Sequence, residues 1–178
     1  MKYSNFKYPS PLGILNIYFT KRGIYRITFI DKGNYNNSMN IDNQRNIRDC
    51  DYLIYKYIYL ELNNYFTGRI TRFEVPVVLE GTDFQKRVWK ELMTIPYGEY
   101  VSYGEIATRI GSPGAARAVG KANNKNKILI VVPCHRVIGS DGKLTGYAGG
   151  IERKKWLICH ENKYRRGVYC GQRITSEK

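Results

Sequence analysis

Five apolar residues in a row, Ile128-Leu129-Ile130-Val131-Val132, run into Pro133 and then straight into Cys134-His135-Arg136-Val137. A short, uninterrupted apolar run rich in β-branched residues reads as an interior strand. Proline cannot donate to a ladder, so it terminates that strand. The pattern therefore predicts a buried strand that delivers Cys134 to its exit, a rigid place from which to present a thiol. A thiol attacks as its thiolate, and a nearby imidazole or cation is the usual means of lowering its pKa. The same residues also fit a core cysteine beside a solvated histidine, because free cysteine is among the most buried residue types. On the Cys-His pair alone both readings stay open.

The rest of the chain divides near Glu80-Gly81. In the first part, Gly13 to Phe19, a turn over Thr20 to Gly23, and Ile24 to Ile30 read as a β-hairpin. From Asp51 to Phe66, Leu53, Tyr57 and Leu60 recur at helical spacing, and Gly68 is placed to end that helix. Arg72 to Leu79 reads as extended, with Pro76 at an edge. No catalytic constellation stands out here, and the tyrosines read as packing residues. The Asn-rich patch from Asn34 to Asn46 reads as a surface loop.

The second part carries clear helix punctuation. Thr82 with Gln85 makes a capping box ahead of Phe84, Val88 and Leu92 on one face. Ser102 with Glu105 makes another, and Gly111 closes that helix. Ser112 then caps, Pro113 suits the first helical position, and Ala115 to Ala122 continues. Two helices around a tight Gly-Ser turn form a helix-turn-helix candidate, although a plain helical hairpin has the same pattern. The second helix is nearly bare at Ala115, Ala116, Ala118, Gly120 and Ala122, with Arg117 as the large side chain among them. Small residues serve close packing against a neighbouring helix, and they also let a helix enter a confined groove. The minor groove is only about 6 Å wide. Further on, Lys154 and Glu161 are seven apart on a helix and so share a face, which is either a solvated face or one turned to a pocket.

From Thr82 to Glu161 the chain resembles the O6-alkylguanine-DNA alkyltransferases, or methylated-DNA–protein-cysteine methyltransferases. The resemblance rests on Pro133-Cys134-His135-Arg136-Val137, Tyr147-x-Gly149-Gly150, Lys154, Trp156-Leu157 and His160-Glu161. Upstream it rests on Ile95-Pro96-Tyr97-Gly98-Glu99, Ser102-Tyr103 and Ala115-Ala116-Arg117-Ala118-Val119-Gly120. It implies a repair protein that flips O6-alkylguanine out of double-stranded DNA through the minor groove. The alkyl group then passes irreversibly to its own cysteine, once per molecule. On that resemblance Cys134 is the nucleophile, His135 acts on it through water, Glu161 orients His135, and Asn126 tethers the loop around the site. Tyr103, Val137, Ala148 and Lys154 form the substrate pocket. The carbonyls of Cys134 and Val137 accept from the guanine amino group. Arg117 fills the vacated stack, with Ala116 and Ser102 also at the DNA. Ala148 stands where many relatives have Ser, and it acts through its backbone N–H.

The fold expected is α+β. A small N-terminal α/β domain of structural role (1–81) holds the hairpin and its sheet. A mainly helical domain (82–165) holds the helix-turn-helix and the active-site cysteine, and a basic tail (166–178) follows. Net charge is +14, from 29 basic and 15 acidic residues. Residues 82–178 carry 18 of the basic and 8 of the acidic ones, so the excess lies on the part bearing the cysteine motif, as a polyanion partner requires. The chain has four cysteines and two histidines, with no zinc spacing. No metal, cofactor, membrane or protein partner is expected. A cytoplasmic monomer with a free catalytic thiol fits a reducing compartment. Three other readings compete: a lesion binder lacking transfer, a helix-turn-helix regulator with Cys134 as core, and a cysteine hydrolase. The binder is disfavoured by the presence of Cys134. The hydrolase is disfavoured by the adjacency of Cys and His, whose side chains diverge in an extended segment.

Overall fold

Alternation of apolar and polar residues builds an antiparallel sheet at the start of the chain. In the computed structural model, which describes residues 3–30 and 46–166, strands β1 (Ser4–Ser10), β2 (Gly13–Thr20) and β3 (Gly23–Phe29) pair in that order. Leu15, Ile17 and Phe19 of β2 point to one face and are fully buried, with Phe6 and Tyr8 of β1 beside them. The expected hairpin is β2–β3, and β1 is a third strand that the sequence reading missed. Gly23 lies at φ 131°, and a Cβ there would meet the Pro76 carbonyl oxygen at 2.3 Å. Only glycine admits that approach. The segment around Pro76 is extended as expected, and Ile24 bonds it on both sides through Pro76 O and the Val78 amide.

Helix α1 (Tyr52–Phe66) packs on this sheet, but not by the stripe expected. Leu53, Tyr57 and Leu60 face solvent, Leu53 with 82% of its surface exposed. The buried side holds Ile58, Leu62 and Tyr65, with Tyr55 and Tyr59 packed against Phe6. Both stripes have helical spacing. The one that meets the aromatic face of β1 is buried. Glu61 is buried as well, because its carboxylate accepts the Glu74 and Val75 amides and so fixes the extended segment to α1.

Helix α2 (Asp83–Leu92) begins at the Thr82–Gln85 capping box, both halves of which are formed. Strand β4 (Val101–Ser102) leads into α3 (Tyr103–Arg109), where the Ser102 hydroxyl accepts the Glu105 amide. The reciprocal half of that second expected box is absent, because the Glu105 carboxylate pairs with Arg109 one turn later. Helix α4 (Ala116–Asn124) starts later than expected and has no side-chain cap. Gly114, at φ 87°, interrupts the helix that Ser112 and Pro113 were read to open. Helices α3 and α4 pack on each other and on α2.

The predicted strand at Ile128–Val132 is instead a buried turn. Ile128 alone bridges to Ile27 of β3, and Ile130 has a left-handed φ of 73°. The side chain of Asn126 takes the place of a neighbouring strand. Its Oδ1 accepts the Ile128 amide and its Nδ2 donates to the Val132 carbonyl. A side-chain amide competing for backbone groups in this way curls the chain. A one-turn 3-10 helix (Cys134–Arg136) follows, then β5 (Val137–Ile138) parallel to β4, and finally α5 (Ile151–Arg166). The fold is α+β, as expected. One hydrophobic cluster spans the molecule, from Phe6 and Ile17 through Val88 and Val119 to Leu157, and does not break near Gly81. No helix among the described residues is long and apolar enough to cross a membrane. The segments 31–45 and 167–178, which include most of the Asn-rich patch and the basic tail, lie outside the described residues.

Candidate active site

Cys134 opens the 3-10 helix and is fully buried. Its sulfur accepts a hydrogen bond from Asn126 Nδ2 at 3.0 Å, from the same amide that shapes the preceding turn. Its carbonyl accepts from Asn123 Nδ2 on α4 at 3.2 Å. Burial pushes the thiol up to about 11, and the Asn126 hydrogen bond and the Lys154 charge only partly oppose it. The thiol is thus not pre-ionised by its neighbours, contrary to the pattern expected of a cysteine beside an imidazole.

His135 does not bond Cys134. It turns away into the protein, where its Nε2 lies 2.8 Å from Glu161 Oε1. Glu161, on α5, is the hub of the site. Oε1 also accepts from Arg136 Nη2 and from the Tyr65 hydroxyl, each at 2.9 Å. Oε2 accepts from Arg136 Nε at 2.9 Å and from the Gly98 amide at 3.0 Å. Burial alone would raise the Glu161 carboxyl, but His135 and Arg136 outweigh it and hold the group well below the usual carboxylate range. An ionised carboxylate only accepts, so His135 Nε2 carries the hydrogen and Nδ1 has the free lone pair. Nδ1 is buried and has no partner among the described residues. Burial also pulls the imidazole down, against the pull of Glu161, which keeps it neutral and basic at Nδ1.

Lys154 is buried on the side of α5 facing Cys134, not solvated. Its Nζ donates to the Val137 carbonyl at 2.6 Å and the Thr145 carbonyl at 2.7 Å. Burial pulls it down to about 8, opposed in part by the neighbouring Cys134. Tyr103, at the start of α3, donates to the same Thr145 carbonyl at 2.9 Å. Two groups therefore pin the loop that leads to Tyr147, Ala148, Gly149 and Gly150. Tyr147 is buried with its ring edge-on to His135, and Ala148 is exposed. Arg153 clamps this loop from behind, donating to the Gly149 carbonyl and lying 4.0 Å over the Phe29 ring of β3.

Arg117 is exposed in the first turn of α4, Ala116 is half-buried, and Ala118 is exposed beside them. A Cβ on Gly120 would approach the Tyr103 ring at 3.8 Å, so the bare face of α4 borders the tyrosine at the pocket. Ser102 caps α3 at the same edge. The fold thus gathers Cys134, His135, Glu161, Asn126, Val137 and Lys154 into one buried cluster. Tyr103 and Ala148 lie at its rim, and Ser102, Ala116 and Arg117 on the adjoining surface.

Four contributors escaped the sequence reading. Arg136 stands out in the sequence only as part of a motif, although a charged residue inside an apolar stretch signals a buried partner. Gly98 stands in the Ile95-to-Glu99 motif, which does not disclose the role of its amide, and Asn123 and Tyr65 carry no local signal. Tyr65 was one of sixteen tyrosines, and its partner lies 96 residues away. Among the described residues no group of His, Cys, Asp and Glu is arranged to hold a metal ion.

Residues 83–163 match the family model for the DNA-binding domain of 6-O-methylguanine DNA methyltransferase. Over 98 residues the chain is 67% identical to a methylated-DNA–protein-cysteine methyltransferase of Mycobacterium bovis, a match covering 55% of this chain and 59% of that one. The chain thus spans less than two thirds of the length of the curated relatives it matches first. The crystal structure of Mycobacterium tuberculosis O6-methylguanine methyltransferase is similar over 91% of this chain and 94% of its own, with a TM-score of 0.77 and 46% identity. That of Mycobacterium tuberculosis OGT in complex with DNA has a TM-score of 0.76 and 45% identity, over 90% and 93%.

Proposed function

The chain belongs to the methylated-DNA–protein-cysteine methyltransferase family, and we propose that it repairs O6-alkylguanine in duplex DNA by transferring the alkyl group to Cys134. The observation that carries this reading is the buried Cys134 thiol, with a neutral imidazole oriented by a buried carboxylate one residue away. In the proposed reaction the thiol proton passes through a water to His135 Nδ1, while Glu161 holds Nε2–H and stabilises the imidazolium. The sulfur attacks the alkyl carbon, a C–S bond forms, and the O6–carbon bond breaks. The electron pair stays on guanine. The Tyr103 hydroxyl turns from the Thr145 carbonyl to donate to the departing base, and the proton taken up by His135 returns through the water to neutralise it. A thiol at about 11 suits this order of events, because the thiolate arises only when substrate and relay are both in place.

A guanine inside a duplex cannot reach a buried sulfur, so the nucleotide has to be flipped. The bare face of α4 enters the minor groove, and Arg117 takes the place of the extruded base. The carbonyls of Cys134 and Val137, already held by Asn123 and Lys154, keep a lone pair each for the guanine amino group. A thioether does not revert, so each molecule reacts once, without a cofactor. The test is intact-protein mass after mixing with a duplex containing O6-methylguanine. One added methyl per chain, mapped to Cys134, is expected. A methyl on Cys50, Cys159 or Cys170, or none, would refute the assignment.

A further inference from the structure

Helix α1 reaches the Glu161 hub of the reactive site through the Tyr65 hydroxyl. Tyr65 stands near the end of α1, outside the segment that matches the DNA-binding family model. Its side chain is fully buried, and its phenol donates to Glu161 Oε1 at 2.9 Å. That is the same oxygen that accepts from His135 Nε2. We propose that Tyr65 is a positioning residue for alkyl transfer, acting through Glu161 to set how strongly that carboxylate holds the His135 proton. This rests on the proposed alkyl transfer.

The argument is one of shared acceptors. Glu161 Oε1 has three donors, two of them from the reactive segment and one from α1. A neutral donor spreads the carboxylate charge without adding a competing positive one. Remove it, and Oε1 becomes a stronger acceptor for His135, which favours the imidazolium. The groups facing Glu161 and His135 are Tyr65 from α1, Tyr97 from the loop after α2, Arg136, and Lys154 and His160 from α5, the last also bonded to the Tyr65 carbonyl. Cys134 and Tyr147 face them from the thiol side. Of these, Tyr65 is the neutral group bonded directly to the oxygen that His135 uses. Its ring packs against Phe66, Phe73 and Tyr97, while the hydroxyl is oriented by its own hydrogen bond to Glu161.

The test compares wild type, Tyr65→Phe and Phe73→Leu. The first variant deletes the hydroxyl and keeps the ring. The second loosens the packing around that ring without touching Glu161. Single-turnover rates with free O6-benzylguanine are measured from pH 5 to 9, alongside the imidazole titration of His135 by NMR, which has only one other histidine to resolve. For Tyr65→Phe the His135 titration and the acid limb of the rate are expected to move up by about half a unit to one unit. The rate on that limb then falls roughly 3- to 10-fold while the high-pH plateau holds. Phe73→Leu is expected to lower the melting temperature and leave both curves in place. A Tyr65→Phe protein with unshifted curves would show that Tyr65 only packs, and so would equal shifts in both variants. If wild type transfers no alkyl group, the proposed function fails. The His135 titration alone then decides whether Tyr65 governs the imidazole.

Discussion

Cys134 has no exposed surface, and burial holds its thiol near 11, so at neutral pH it is protonated until a substrate engages the relay. Cys50 is exposed, and Cys159 is partly so. Thiol reagents require thiolate and access together. Iodoacetamide at pH 8 is therefore expected to modify Cys50 well before Cys134, as read by peptide mapping over time. Preferential labelling of Cys134 would mean that the thiol is ionised and open at rest, and the substrate-gated order of events would be lost. Asn126 serves the sulfur, the Val132 carbonyl and the Ile128 amide with one side chain, so its replacement by Ala unties the turn and the nucleophile together.

At the scale of elements, the short apolar run before Cys134 shows where local patterning stops being informative. Its composition is that of a strand, yet a single amide side chain diverts it into a turn, with Ile130 left-handed. Helix α1 is a second case. Two stripes with the same spacing lie on it, and the choice between them is made by the aromatic face of β1, a partner some fifty residues away. Caps and motifs were legible because they act within a few residues, as at Thr82, Ser102 and Pro133 to Val137. The hub around Glu161 is legible where its members lie in motifs, Gly98 included, but the pairing of Gly98 with Glu161 and the long-range donor Tyr65 are not. For α4, the exposed Arg117 and the bare surface around Ala116 and Ala118 carry a prediction. Arg117→Ala is expected to slow repair of a lesion in duplex DNA by about 10-fold or more, yet leave reaction with free O6-benzylguanine near wild type. The free base needs no flipping. Ala116→Trp should likewise block the duplex substrate alone, with a melting curve confirming the fold. Equal slowing of both substrates by Arg117→Ala would place its role in the structure or the chemistry instead.

Across the whole molecule, the ion cluster ties three distant stretches together, since Glu161 of α5 holds Arg136, Gly98 and α1 at once. Its carboxyl is held below the usual 4.5 in the folded protein. The unfolded chain therefore binds the proton more readily, and the stabilisation is present above about 4.5 and lost as pH falls through the lower folded value. Denaturant midpoints between pH 7 and pH 3 are expected to fall for the wild type. Glu161→Gln has no such proton to take up, so it starts lower at pH 7, by about 3 kcal/mol or more, and declines less over the same window. Asp51 is also held low by its Ser4 and Arg48 hydrogen bonds, against the effect of burial. It contributes the same sign in both proteins and cancels in the comparison. Parallel pH slopes would locate the acid sensitivity elsewhere.

The Gly98 amide gives this cluster an unplanned gauge. It is a buried backbone N–H whose acceptor is Glu161 Oε2, and glycine is needed there because φ is 70° and a Cβ would press on Arg165. Hydrogen exchange at that one position follows the carboxylate, not a helix or a ladder. A single peptide group therefore records each excursion of α5 away from the reactive turn, whether solvent, a substitution or an alkylated sulfur sets it off.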